Sequence, residues 1–348
     1  MGEQTTFTAD ELLSDHDTVT PLFAGGVQCH GGFDPEGDYV SPRTKFRVPG
    51  IEAWQAQHVA DFGTEILSIP LETWPETSPN LAQVRFLIEK GVPEPLIATL
   101  TRIGTVEGFG ANIRFLQPGD LQQHFDESIA GTCTAHLGTG LFEAHGRDEA
   151  GWEKEAGHKD MWFAARDIAF ENPTASVDIE KMLERMGFGQ GGGPGSITER
   201  LLPDDIDANL ELIANLMVRV LFIEISAFHT FKWSEAWLSD DDLVAGDGEA
   251  ARLVSYIRAD ETPHVGYLKT ALTEMRDRTW IGESGKKYAG TDMIQTLWDA
   301  GLEQSLGAGR EQGRKALRGE LEHWILAKPN GQDLLAEFDS LETPVAVG

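Results

Sequence analysis

Cysteine, basic side chains and long apolar runs are all scarce in this sequence, and each shortage excludes a class of protein. The two cysteines, Cys29 and Cys133, form no CxxC motif, so neither a disulfide scaffold nor a thiolate metal site is expected. No run of about 18 or more apolar residues occurs, which argues against a transmembrane helix. Only 28 lysines and arginines face 57 aspartates and glutamates, so the net charge is −29. Such a surface repels nucleic acid and anionic membranes, and we expect neither as a partner.

The N-terminus, MGEQTTFTADELLSDHD, is acidic and polar. It lacks the basic and apolar regions of a signal peptide, so a soluble, cytoplasmic protein is expected. The acidic surface favours solubility, and a docking face for a basic partner is the alternative.

The chain divides into three regions that differ in composition and in predicted secondary structure. Residues 1–118 predict an extension of irregular structure and short helices, because Gly, Pro and Asp interrupt them. Residues 119–280 contain long helical patterns, and residues 281–348 predict C-terminal helices and a tail packed on them. The long helices are predicted at 121–145, 148–170, 205–238 and 248–278, with a further helix at 292–322. A glycine-rich linker, residues 186–203, separates the second from the third and is predicted to be mobile, near an entrance or an oligomer contact. This order predicts an all-α four-helix bundle with one long crossover.

Carboxylates interrupt the apolar stripes of three of these helices. The stripe of the fourth helix consists of Val254, Ile257, Glu261, His264, Leu268 and Met275. Glu224 lies at the centre of the stripe of the third helix. On the second helix, Glu155 and His158 share a face with Trp162 and have the same three-residue spacing as Glu261 and His264.

Buried carboxylates at these positions require a counter-charge, because an unpaired one costs several kcal/mol. No arginine lies on the three stripes. A pair of metal ions would supply the charge, since carboxylate and imidazole ligands suit iron and manganese. The i, i+3 spacing places a Glu and a His on adjacent turns, within reach of one metal ion.

The segment "RADETPH", residues 258–264, resembles the RDExxH segment of ribonucleotide reductase small subunits and their oxidase relatives. The order of Glu and Glu-x-x-His over residues 120–278 resembles the ferritin-like di-iron carboxylate superfamily. The resemblance implies a dimetal site ligated by Glu155, His158, Glu224, Glu261 and His264. It also implies that Asp260 orients a ligand histidine of the second helix.

The resemblance requires one more carboxylate on the first helix, and the sequence leaves its identity open. Glu127 has the spacing from Glu155 that is typical of the family but points away from the apolar stripe. Glu143 continues the stripe but is close to Glu155 in sequence, and His136 is a third candidate. We interpret His124, His145 and His229 as surface or structural residues.

Two further features bear on the interpretation. Pro263 predicts a kink within the fourth helix, and the alternative is a helix that begins at Pro263 with Thr262 as its cap. Trp162 stands where a reductase small subunit carries its radical tyrosine, which argues against a standard tyrosyl-radical subunit. Tyr267 is expected in a core or hydrogen-bonding role, although a redox role is conceivable.

These observations predict a non-haem di-iron oxidase or oxygenase with two iron ions, manganese being the alternative metal. Its partners would be O2, a small organic substrate and an electron-donor protein, and we expect a homodimer. The alternatives are a ferritin-like metal-storage protein and a radical-generating subunit, with a manganese–iron or di-iron centre, of a partner enzyme. Small residues of the first helix, Gly131, Thr134 and Gly138, are expected to leave room for a substrate channel.

Overall fold

Helices make up most of the computed structural model, which describes residues 4–17, 20–170, 173 and 200–342. The prediction of a mainly helical chain is therefore confirmed. The described helices are α1 (Ala9–Leu12), α2 (Arg47–Phe62), α3 (Leu81–Glu89), α4 (Glu94–Gly110), α5 (Cys133–His136), α6 (Phe142–Ala150), α7 (His158–Ala169), α8 (Ala208–Leu238), α9 (Glu249–Arg276), α10 (Gly290–Leu306), α11 (Ala308–Leu326) and α12 (Gly331–Ser340).

In the described residues, two small antiparallel sheets accompany the helices, and neither was predicted from the sequence. Strands β1 (Thr20–Ala24), β2 (Val27–Phe33) and β3 (Tyr39–Val40) form one sheet in that order. Strands β4 (Thr279–Ile281) and β5 (Lys287–Ala289) form the other. The turn between β1 and β2 is Gly25-Gly26, both with positive φ, as a tight hairpin turn requires.

The long pair α8 and α9 is the centre of the packing. Helix α9 packs along α8 and against α7, and α4 packs against α6 and α7. Helix α9 continues through Pro263, so the alternative of a helix starting at that proline is wrong and Glu261 lies within the helix. None of the helices in the described parts of the chain is both long and apolar enough to cross a membrane.

A polar layer separates two apolar clusters along α8 and α9. One cluster includes the apolar side chains of α8 between residues 210 and 225 and those of α9 from Tyr267 onward. The other includes side chains of α8 from Phe231 onward and those of α9 up to Ile257, together with much of α4 and α7. Glu224, Glu261 and His264 lie where one cluster gives way to the other.

The predicted first and second helices differ most from the structure. In place of one helix over 121–145, the chain forms a 3-10 turn (Leu121–His124), α5, a π-helical turn (Leu137–Leu141) and α6. The second helix begins at His158 and not near residue 148, because a loop follows α6. Gly151 begins that loop with φ of +82°, and a Cβ on Gly157 would lie 2.2 Å from the Gly151 nitrogen, so only glycine fits there.

Other boundaries agree more closely. Helices α8 and α9 begin and end within three residues of the predictions for 205–238 and 248–278. The predicted helix 292–322 is divided into α10 and α11 at Gly307. The predicted mobile linker lies outside the described residues apart from 200–203, and the three-domain division stays a prediction.

The three residues named for the expected substrate channel each lie against another part of the chain. Gly138 packs on Pro118, and Gly131 packs on Thr5. The hydroxyl of Thr134 donates to buried Glu274 at 2.7 Å. Small side chains here let other segments approach closely, and the channel stays a prediction.

The carboxylate of Asp277, at the end of α9, should contribute to stability in a pH-dependent way. Although burial opposes ionisation, hydrogen bonds from Arg276, Thr64 and His58 lower its pKa from the ordinary 3.8 to about 2. The contribution is therefore present above pH ~4 and lost as the pH falls toward 2. Allowing for solvent screening, Asp277→Asn should cost about 1 kcal/mol at pH 6.

Urea unfolding of the metal-free wild type and Asp277→Asn, each at pH 6 and near pH 2.5, measures this contribution. The difference between the two proteins should shrink at the lower pH. A difference that does not depend on pH would show that Asp277 acts by packing alone. Asp126→Asn, which removes an exposed ion pair with Lys287, serves as the control and should change little at either pH.

Candidate metal centre

Seven ionisable side chains meet in the polar layer between α4, α6, α7, α8 and α9. They form two groups whose candidate ligand atoms lie within 4.8 Å of one another. Position one consists of His145, Glu149, Glu224 and His264. Position two consists of Glu107, Glu149, His158 and Glu261. Glu149 belongs to both groups, so the two positions share a carboxylate.

Each helix contributes at a defined place. Glu107 lies in the last turn of α4, and His158 is the first residue of α7. Glu224 lies in the middle of α8. His145 and Glu149 are four residues apart on α6, and Glu261 and His264 are three apart on α9, so each pair shares a helix face. Helix geometry therefore turns these side chains toward one point.

The distances show that Glu149 and Glu261 lie at the centre of the cluster. Glu149 Oε1 lies 3.4 Å from His158 Nδ1, 3.4 Å from His264 Nδ1 and 3.6 Å from His145 Nε2. The two carboxylate oxygens of Glu261 divide between two imidazoles. Oε1 lies 2.9 Å from His158 Nδ1, and Oε2 lies 2.6 Å from His264 Nδ1.

Several of the atoms that face this centre have no hydrogen-bond partner. They include both carboxylate oxygens of Glu149 and Nε2 of His145, while Oε1 of Glu261 and Nδ1 of His158 lie 2.9 Å apart but are not aligned for a hydrogen bond. Buried polar atoms are normally paired, and leaving one unpaired costs about 1–3 kcal/mol. Convergent unpaired oxygens and imidazole nitrogens are atoms of the kind that metal ions bind. These groups could hold metal ions, and the residues fit such ions by their chemistry.

Crowding of carboxylates perturbs their ionisation. Burial, and next the charge of Glu261, raises the pKa of Glu149 and of Glu224 well above the ordinary value. The same causes raise the pKa of Glu107 to about 7. Although burial opposes it, the imidazoles of His158 and His264 hold the pKa of Glu261 well below its ordinary value. Without added positive charge, the cluster cannot keep all four carboxylates ionised.

Each of the three histidines in the cluster has its second ring nitrogen against another polar group. His264 Nε2 lies 2.9 Å from Asp148 Oδ2, and His158 Nε2 lies 3.6 Å from Asp260 Oδ2. His145 Nδ1 lies 3.1 Å from the Tyr267 hydroxyl. A carboxylate can only accept, so Asp148 holds an N–H on Nε2 of His264, and the negative charge of Asp260 favours an N–H on Nε2 of His158.

Two buried arginines complete the charge pattern. Arg43 and Arg47 both form ion pairs with Asp148, at 2.5 and 2.7 Å, and none of the three is more than 2% exposed. The sequence analysis found no arginine on the helix stripes, and these two come instead from the segment before α2 and from α2 itself. They balance the two outer aspartates, Asp148 and Asp260. The positive charge beside the four glutamates then comes from His158 and His264, whose pKa the charge of Glu261 raises although burial opposes it.

Four of the five ligands predicted from the sequence lie in the cluster: His158, Glu224, Glu261 and His264. Asp260 faces His158, as the resemblance implies for an outer residue. Glu155 lies elsewhere. It is half-buried in the loop before α7, where its backbone pairs with that of Trp152. Because α7 begins only at His158, Glu155 does not share a helix face with it.

None of the candidates for the first-helix ligand lies in the cluster. Glu127 accepts hydrogen bonds from the backbone and hydroxyl of Thr279. Glu143 pairs with Arg114 and Arg147. His136 accepts the backbone N–H of Phe7 at 3.0 Å. The segment 121–145 is not one helix, and its place in the cluster is taken by Glu107 of α4.

The sequence analysis missed Glu107, His145 and Glu149. His145 was interpreted as a surface or structural residue, yet its side chain is fully buried. A signal existed, because His145 and Glu149 have an i, i+4 spacing within one helix. Glu107 is the one acidic residue of α4 after Glu94, at the end of a largely apolar helix. The half-buried Glu107 also accepts the indole N–H of buried Trp162 at 3.2 Å.

Comparisons with protein-family models, with curated proteins and with solved structures gave no match.

Proposed function

We propose that the cluster holds two transition-metal ions, one at each position, and that the protein is a non-haem di-iron oxidase or oxygenase of ferritin-like type. The observation that carries the proposal is Glu149, a buried carboxylate shared by two four-residue groups of ligand atoms. A single mononuclear site would not need two overlapping donor sets. Two imidazoles at position one and one at position two, with carboxylates completing both, suit iron or manganese.

The charge balance supports two divalent ions. The buried arginines offset Asp148 and Asp260, and the histidines are neutral when they act as ligands. Four glutamates then remain, namely Glu107, Glu149, Glu224 and Glu261. Two divalent cations would neutralise them. One ion would leave about two buried negative charges, and the cost of such charges is several kcal/mol each.

The placement of ligands also supports the ferritin-like bundle as part of this proposal. A carboxylate comes from α4, a Glu and a His from α6 and α7, a carboxylate from α8, and a Glu-x-x-His pair from α9. The arrangement differs from the family pattern at the second helix, where the family has a single Glu-x-x-His pair. There the Glu149 and His158 pair is divided between two helices, and His145 adds a third imidazole.

A pair of ferrous ions, when bound, would supply two of the four electrons that reduce O2 to the level of water, and the organic substrate would supply the other two as it is oxidised. The residues of this chain would bind the metal ions and orient the histidine ligands. Asp148, Asp260 and Tyr267 fix the ring planes of the three histidines, and Glu149 and Glu261 lie between the two positions. The apolar clusters on both sides exclude water from the centre. An electron-donor protein, a homodimer and a cytoplasmic location belong to the same proposal.

A second candidate is a radical-generating subunit for a partner enzyme. Two oxidisable aromatic side chains touch ligand residues directly. Trp162 donates to Glu107 of position two, and Tyr267 is hydrogen-bonded to His145 of position one. Both are fully buried. A stable organic radical after exposure of the iron-loaded protein to O2, detected by electron paramagnetic resonance, would favour this candidate over the oxidase.

Anaerobic loading with ferrous ion, followed by measurement of O2 uptake and bound iron, tests the proposed function. About two iron ions per chain and rapid O2 uptake are expected, with continued uptake when a reductant and an oxidisable substrate are supplied. Glu149→Gln should take up little O2. Iron in large excess over the two positions would indicate storage. Absence of bound iron and of O2 uptake would contradict the proposal.

A further inference from the structure

Arg43 lies at the junction of two buried hydrogen-bond branches, each of which leads to a different metal position. It is 2% exposed and has a left-handed backbone conformation, with φ of +52°. Its backbone N–H donates to Asp15 at 2.7 Å. A non-glycine residue in this conformation costs on the order of 1 kcal/mol, and such strain persists where the surroundings require it.

The first branch leads to position one. Arg43 Nε and Nη2 both donate to Asp148 Oδ1, at 2.7 and 2.5 Å. The other oxygen of Asp148 accepts from His264 Nε2 at 2.9 Å. Arg47 Nη1 lies 2.7 Å from that same oxygen. Asp148 therefore has one oxygen for Arg43 and one for the ligand histidine.

The second branch leads to position two. Arg43 Nη2 donates to His30 Nδ1 at 3.3 Å, which leaves the ring proton of neutral His30 on Nε2. His30 Nε2 donates to Asp260 Oδ2 at 3.0 Å, and the Tyr39 hydroxyl donates to the same oxygen at 2.9 Å. Asp260 Oδ2 in turn faces His158 Nε2. Because arginine has no acceptor atom, Arg43 selects the tautomer of His30.

We propose that Arg43 is a positioning residue that sets the metal affinity of both positions at once. The inference rests on the proposed dimetal centre. Outer partners of ligand histidines typically account for a 10- to 100-fold change in metal affinity. Arg43 supports Asp148 directly, through Nε and Nη2, and Asp260 indirectly, through the contact of Nη2 with His30. A lysine ammonium at the end of a flexible stem cannot reproduce this planar set of donors. Other residues of this outer layer act on one branch each.

Titration of the full-length apoprotein with Co2+ tests the inference, with visible absorption and calorimetry as readouts. Position one offers two imidazoles and position two offers one, so the two bound ions should have different ligand-field spectra. Arg47 contacts only the Asp148 branch, so Arg47→Gln should lower the Co2+ affinity of position one alone. The Tyr39 hydroxyl contacts only the Asp260 branch, so Tyr39→Phe should lower the Co2+ affinity of position two alone. Arg43→Gln should weaken both, by about 10- to 100-fold each.

The possible results distinguish failure of the proposed role of Arg43 from failure of the proposed dimetal centre. Wild-type affinity in Arg43→Gln, or weakening of one position only, would overturn the role of Arg43 while leaving the dimetal centre intact. Failure of the wild type to bind Co2+ would overturn the centre itself and the inference with it. Circular dichroism of each apoprotein identifies variants that do not fold. Arg43→Lys, which keeps the positive charge beside Asp148, then takes the place of Arg43→Gln and should restore position one more than position two.

Discussion

Glu149→Gln is expected to abolish metal binding at both positions, although the change replaces one oxygen by an NH2 group. Glu149 is the residue shared by the two groups, and its Oε1 faces all three imidazoles of the cluster. An amide carries no charge and offers a single oxygen, so it cannot serve two ions. We expect each affinity to fall by on the order of 100-fold or more, beyond the effect of outer residues, and O2 uptake to fall with it.

The matched control is Glu155→Gln. Glu155 has the Glu-x-x-His spacing that indicates a ligand, yet it lies half-buried in the loop before α7. This variant should keep two metal ions and wild-type O2 uptake. Elemental analysis of both variants after identical iron loading decides between the two glutamates. Loss of metal in Glu155→Gln but not in Glu149→Gln would show that the resemblance places the ligand correctly and that the cluster is not the metal site.

Removal of metal is expected to destabilise the wild type strongly. The apoprotein must keep four glutamates in one buried cluster, where several have raised pKa values and take up protons. At free metal concentrations of about 100 times Kd, each ion adds about 2.7 kcal/mol to the free energy of unfolding. For a chain of this size, two ions should raise Tm by roughly 10 °C.

Thermal unfolding followed by circular dichroism, with ferrous ion under anaerobic conditions and with a chelator, measures this difference. Glu149→Gln is the control, because its Tm should not respond to metal. The apo variant should be at least as stable as the apo wild type, since one buried carboxylate has been neutralised. A wild-type Tm that is the same with metal and with chelator would show that the cluster binds no ion tightly.

The sequence allowed prediction of the part of the site that lies on long, regular helices. Glu224 and the pair Glu261 and His264 interrupt apolar stripes on α8 and α9, helices of 31 and 28 residues. Over that length the 3.6-residue period fixes which side chains share a face. The same pattern gave the boundaries of both helices to within three residues.

The rest of the site depends on short elements and on long-range contacts. Whether Glu149 or Glu155 accompanies His158 depends on where α6 ends and α7 begins, and a loop closed by Gly151 and Gly157 decides it. Glycines in a loop and glycines in a weak helix look alike in sequence. His30 and Arg43 reach Asp260 and Asp148 across more than 100 residues of sequence. No local periodicity could indicate such pairs.

The most direct test of the dimetal centre is an anomalous-difference map from crystals of the iron-loaded protein, with data collected at the iron absorption edge. The account predicts two peaks per chain, about 3.5–4 Å apart. Both should lie next to the Glu149 carboxylate, one near His145 and His264 and the other near His158. The dimetal centre would be contradicted by no peak at the cluster, by a single peak that Glu149 does not contact, or by peaks only at carboxylates outside the cluster, such as Glu155.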